Sequence, residues 1–138
     1  MKKIYLNILS LVSLFGCGNS SYHEKLIHNK YLIAEEGLEN MDISISIPNS
    51  DAYEGLIPSC VFSVGNNDAF IIAKQHPYEF PNINKKITNY YIIPSNSKDV
   101  QKENTKVIGP MTEQEFIIKA SELGISKISF NKVFKELE

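Results

Sequence analysis

Between Met41 and Ile47 the side chains of Ile43, Ile45 and Ile47 alternate with Asp42, Ser44 and Ser46. A helix would scatter that period of two around its circumference, whereas an extended strand places the three isoleucines on one face and the polar residues on the other. The chain is thereby committed to a sheet with one dry and one wet side. Lys30 to Glu35 reads as a strand before it, joined through a connection containing Gly37, and the two are expected to form a hairpin. Pro48 cannot donate to a ladder and ends the second strand, so that Pro48 to Pro58 reads as a loop.

A second hairpin is expected from Cys60 to Val64 and Ala69 to Lys74, which flank Gly65-Asn66-Asn67-Asp68, residues that tolerate positive φ or bond to their own backbone. Asn89 to Ile93 is rich in β-forming residues, and Lys106-Val107-Ile108 can pair back onto it across the polar run Ser95 to Lys106. Thr112 with Glu115 three residues later forms a capping box, and Met111 is placed to staple onto Phe116. The helix that starts there would carry Phe116, Ile117, Ala120 and Leu123 on one face and stop at Gly124 with Ile125 behind it. Phe130, Val133, Phe134 and Leu137 have the spacing of a second short helix. The expected fold class is α+β: an antiparallel meander of five or six strands covered by a C-terminal helix, with that second helix after it.

The first sixteen residues have different proportions. Lys2 and Lys3 precede an apolar run from Ile4 to Phe15, the layout of a signal peptide, and the run is too short for the roughly 20 residues that cross a bilayer. Leu14-Phe15-Gly16-Cys17 at its end resembles the lipobox of bacterial prolipoproteins. That resemblance implies a diacylglyceryl group on the Cys17 thiol, removal of residues 1–16, and further acylation of the new amino terminus, with palmitate as a typical chain. Two acyl chains hold a protein on a membrane where one does so only marginally. The expected organisation is therefore a lipoprotein signal peptide over 1–16, a lipidated tether over 17–29 and a single α+β domain over 30–138. Its expected place is outside the cytoplasm, anchored by lipid to a bacterial cell membrane, inner or outer.

The leader carries two lysines and no acid, so its removal takes the formal charge from −2 to −4. All 14 basic residues are lysine, and the absence of arginine and of a basic stripe argues against nucleic acid as a partner. With Cys17 lipidated, Cys60 has no mate and reads as a small buried hydrophobe. His23 and His28 stand five apart, one residue too many for the zinc-protease motif, and read as solvated residues of the tether. Glu35, Glu36, Glu39 and Asp42 lack the spacing of a calcium loop and read as a solvated edge. His76 has no recognisable nucleophile beside it and reads as a surface or loop histidine, and no metal, cofactor or catalytic set is expected. Gln75 to Asn84 holds His76, Tyr78 and Phe80 among Pro77 and Pro81, a candidate recognition loop. In so small a domain, the preferred expectation is nevertheless that Tyr78 and Phe80 fold back to close one end of the sheet.

The blocks Ala69 to Gln75, Tyr90 to Ile93, Val107 to Phe116 and Glu122 to Ile125, in that order, resemble a family of short bacterial lipoproteins catalogued as a domain of unknown function, over roughly residues 30 to 128. The resemblance implies a sheet with a C-terminal helix on a lipid anchor and assigns no catalytic residue. The run Ser95 to Lys106 departs from it as an insert. The expected function is a binding or inhibitory module in the cell envelope, directed at an envelope or exogenous protein. The alternatives are a structural or assembly lipoprotein and a hydrolase, which would need His76 buried beside a carboxylate.

Overall fold

The computed structural model describes residues 21–95 and 106–138, so that the leader, Cys17 and most of the expected insert lie outside the described residues. Among the described residues the fold is built mainly from two antiparallel sheets and one α-helix. Strands β1 (Tyr22–Ile27), β2 (Lys30–Ala34), β3 (Asp42–Ser46) and β4 (Tyr53–Ile57) form the first sheet in sequence order. The second is built from β5 (Val61–Asn66), β6 (Phe70–Gln75), β9 (Asn89–Pro94), β10 (Ile108–Met111) and β11 (Lys132–Val133), in the order β10-β9-β6-β5-β11. Between β6 and β9 a small excursion, β7 (Tyr78–Glu79) and β8 (Asn82–Ile83), pairs with itself. The fold is thus α+β with mostly antiparallel strands and one C-terminal helix, α1 (Glu113–Glu122). In place of a single meander of five or six strands, a four-stranded meander stacks on a five-stranded sheet in which β11 returns to the edge of β5.

The second sheet is buried on both sides. On one, Val64, Ile71, Ala73, Tyr91 and Ile93 join Leu32, Ile43 and Ile57 of the first sheet in the main core. On the other, Ile72 and Ile92 pack with Ala120 and Ile125, rimmed by Phe70, Phe116 and Phe130. This explains why β6 and β9 are continuous apolar runs while β3 alternates, since a strand covered on both faces has no wet side. Each fully buried isoleucine here contributes about 1.5–3 kcal/mol.

Both expected hairpins form. Leu32 pairs with Ile43 across β2 and β3, and Gly65 pairs with Ile72 across β5 and β6. At the second turn the Asn67 Oδ1 accepts from the amides of Ala69 at 2.9 Å and Phe70 at 2.8 Å. The helix start also holds: the Glu115 amide donates to Thr112 Oγ1 at 3.3 Å and the Thr112 amide to Glu115 Oε2 at 2.8 Å. Gly124 closes the helix at φ +68°, with its amide on the Ser121 carbonyl at 3.1 Å and that of Ile125 on Ala120 at 2.9 Å. Both C-terminal carbonyls are thereby satisfied. The buried stripe is narrower than expected: Phe116 and Ala120 face the sheet, while Ile117 and Leu123 are exposed.

Four expectations are corrected. Tyr22–Ile27, assigned to the tether, is strand β1, paired to β2 from Tyr22↔Ala34 to Ile27↔Lys30. The Pro48 to Pro58 loop contains β4, an edge strand carrying Gly55. The apolar residues from Phe130 to Leu137 form no second helix. Phe130 packs on the helix side of the second sheet while Phe134 and Leu137 pack on its other side, because the chain between them crosses the edge of β5 as β11. The crossing is close, and a Cβ at Gly65 would stand 2.0 Å from the Ser129 carbonyl oxygen. The fourth, the family of His23 and His28 readings, is taken up with the sites below. Among the described residues no helix is long and apolar enough to cross a membrane.

Candidate functional site

The ends of β4, β6 and β9 converge beneath the β7–β8 hairpin and enclose a cleft of ≈ 630 Å³. Pro58, Cys60, Pro77, Tyr78, Ile83 and Tyr91 give it apolar walls, and Glu39 and Asn40 also line it. Its polar floor is internally satisfied. The buried Gln75 donates from Nε2 to the Ser59 carbonyl at 2.9 Å and accepts from Asn89 Nδ2 at 3.0 Å. A largely apolar hollow with few fixed polar groups is the usual form of a small ligand or side-chain pocket.

Cys60 is buried as expected, but its φ of 74° places it in the left-handed region that non-glycine residues seldom adopt. Its Sγ donates to the Glu39 carbonyl at 3.2 Å, and burial followed by the Glu39 charge pushes its thiol above the ordinary range. A raised thiol is a poor nucleophile.

The three residues of the candidate recognition loop part company. His76 is buried rather than at the surface: its ring stacks on Phe62 at 4.2 Å and 12°, and Nδ1 donates to the Ile87 carbonyl at 2.7 Å. Its partner is a backbone carbonyl, not the carboxylate that a hydrolase would require, and Nε2 has no hydrogen-bond partner among the described residues. Tyr78 and Phe80 instead stand in solvent, 56% and 89% exposed, so they do not close the core. The reason is the hairpin itself: Tyr78↔Ile83 and Glu79↔Asn82 pair with a tip at Phe80-Pro81, which carries the rings away from the sheet. His76 holds the base of this excursion, and Lys85 Nζ ties its far side to the C-terminal backbone through Glu136 at 3.2 Å and Glu138 at 3.1 Å.

The remaining histidines are also structural neighbours of something. His23, on β1, has Nε2 3.0 Å from the Tyr53 hydroxyl, and His28, in the β1–β2 turn, has Nε2 3.2 Å from the Asp68 carbonyl. They belong to a folded sheet and not to a solvated tether. Sequence reasoning also missed Lys30, wholly buried, whose Nζ donates to Ser95 Oγ at 2.9 Å and to Asn29 Oδ1 at 3.4 Å. A serine beside a lysine is a nucleophile pair in some hydrolases. Here both are buried, at 0% and 1% exposure.

The fold and cleft define a small α+β protein. The chain belongs to the family described as "Protein of unknown function (DUF3997)", whose model matches residues 28–134. No curated protein and no solved structure was found to match it.

Proposed function

We propose that the chain is an exported bacterial lipoprotein, held on a cell membrane by lipid on Cys17, whose domain works in the envelope by binding a protein rather than by catalysis. The β7–β8 hairpin and the cleft beneath it are its recognition surface. The observation that carries this reading is the 89% exposure of Phe80 at the tip of a hairpin whose neighbour Tyr78 lines the cleft. A phenylalanine left in water forgoes about 1.5–3 kcal/mol of burial. Exposed aromatics on a short, braced element are the side chains that anchor protein interfaces. The anchor rests on Leu14-Phe15-Gly16-Cys17 behind a short apolar leader.

The test uses the full-length chain expressed in a bacterial host that processes lipoproteins. Palmitate labelling and membrane fractionation are compared for the native protein and Cys17→Ser, and chemical cross-linking in intact cells for the native protein and the Tyr78→Ala/Phe80→Ala pair. Label on the native chain alone, with a cross-linked species that the double substitution removes, supports both parts. Label on Cys17→Ser overturns the anchor, and an unchanged cross-linking pattern overturns the recognition surface.

A further inference from the structure

The outer face of the four-stranded sheet carries a second hollow, of ≈ 670 Å³, that shares Asn40 and Ser59 with the first cleft and is lined by no residue of the β7–β8 hairpin. Strand register makes it. Tyr31 lies across from Ser44 and Ser44 from Gly55, while Ile33 lies across from Asp42, so that small residues occupy the centre of this face. A Cβ at Gly55 would meet nothing within 4 Å, which leaves open space where a strand would ordinarily carry a side chain.

One lining residue, Tyr53, is aromatic, and two further rings pack against it. Tyr53 stands 5.3 Å from Tyr31 and 5.5 Å from His23, both edge to face, and His23 is 5.2 Å from Tyr31. Other lining residues are acidic: Glu35, Glu36, Asp42 and Asp51 line the hollow, and no lysine or histidine does. Lys25 belongs to this face but sits on the far edge strand, across from Tyr31. Burial, opposed by a hydrogen bond from Ser44 and reinforced by the Glu35 charge, raises the Asp42 carboxyl above its ordinary range. An added cation would relieve that carboxylate. Among the described residues no three acidic, histidine or cysteine side chains converge enough to hold a metal ion. Glu35 and Glu36 follow β2, Asp42 opens β3 and Asp51 precedes β4, so the negative charge is spread across the face from β2 to β4, which suits an organic cation presented on an extended chain. Strand β4 is the edge of its sheet, and its exposed residues Tyr53, Glu54 and Gly55 leave that edge open for a further strand.

We propose that this face docks an extended basic segment of a partner protein along β4, with a lysine or arginine side chain entering the hollow over Gly55 that Tyr53, Asp42 and Asp51 line. Tyr53 supplies a ring face for the cation, and the carboxylates supply complementary charge. Neither the lipid anchor nor the hairpin is needed for this site.

The experiment measures binding of a fluorescently labelled alternating alanine-lysine heptapeptide to the full-length chain in detergent, by anisotropy. Parallel arms use the same peptide with acetylated lysines, and spermidine as competitor. Gly55→Val fills the hollow without a steric clash, and Asp42→Asn/Asp51→Asn removes charge; unfolding midpoints are recorded for both. The expected result is saturable binding that falls at least tenfold on acetylation and at least tenfold in each variant, with folded protein in every case and weak competition by spermidine. Absence of binding, equal binding of the acetylated peptide, or variants that bind like the native chain overturns the proposal. Competition by spermidine at the peptide's own concentration overturns the peptide docking in favour of a free-amine site. If Gly55→Val fails to fold, the aspartate pair alone decides.

Discussion

The Lys30 ammonium donates to Ser95 Oγ at 2.9 Å, joining two residues that are 65 apart in the chain and both sealed from solvent. Lys30 opens β2 in the first sheet and Ser95 follows β9 in the second, so the contact fixes one sheet against the other. Ser95→Ala removes one acceptor from a buried charge. The expected cost is about 1–3 kcal/mol, read as a lower urea midpoint with an unchanged slope.

A second bridge between the sheets depends on pH. Glu24 of β1 is paired with Lys132 of β11, and its carboxyl is held below the ordinary range first by the Lys132 hydrogen bond and then by that of Tyr22. The Tyr22 phenol is correspondingly pushed up to about 12, mainly by its hydrogen bond to Glu24. A carboxyl lowered by folding contributes stability above its unfolded value that is lost as pH falls through its folded value. Glu24→Gln should therefore lower the thermal midpoint at neutral pH, and the gap to the native protein should close on acidification past the ordinary glutamate range of about 4.3. A gap that stays constant with pH would show that the pair contributes through packing alone.

The close crossing at Gly65 gives a sharper expectation. A methyl there would press on the Ser129 carbonyl at 2.0 Å, and backbone on the far side cannot rotate away as a side chain can. Gly65→Ala should destabilise by about 1–3 kcal/mol, the usual range for overpacking, and should increase amide exchange in β11 first.

Thr112→Ala tests the helix start. It removes the oxygen that accepts the Glu115 amide at 3.3 Å and should cost about 1 kcal/mol in chemical unfolding.

How far these contacts were legible in the sequence follows from where each element sits. Ile43 and Ile45 alternate because β3 is central with one wet face, and Ile71-Ile72-Ala73 runs on because β6 is covered on both. Thr112 and Glu115 announce the helix through local chemistry alone. The missed strands β1, β4 and β11 all lie at sheet edges, where apolar alternation is weak: the half-buried positions of β1 include Glu24, and Tyr53, Glu54 and Gly55 of β4 are all exposed. The pairing of β11 is decided by β5, distant in the chain, and the same is true of the sites. Pro77 after His76 suggested an exposed loop, yet Phe62 and Ile87 enclose the ring from elsewhere. Ser44, Asp42, Tyr53 and Gly55 become one hollow only through register, which no local signal in those residues specifies.

Tyr78 and Phe80 supply the last prediction, because burial and recognition respond oppositely to truncation. Removing a large buried side chain costs about 3–5 kcal/mol, whereas surface substitutions usually stay within about 0.5 kcal/mol. Phe80 is 89% exposed and Tyr78 makes one hydrogen bond, to the Pro81 carbonyl at 3.4 Å, within its own hairpin. Tyr78→Ala/Phe80→Ala should therefore leave the unfolding midpoint within about 0.5 kcal/mol of the native value. His76→Ala should not, since it empties a packed position against Phe62 and frees the Ile87 carbonyl. Chemical unfolding of the two variants side by side separates a hairpin that is held out from its base for contact with a partner from one that is needed by the core. A double variant destabilised as much as His76→Ala would assign the rings to the core and remove the hairpin as a recognition surface.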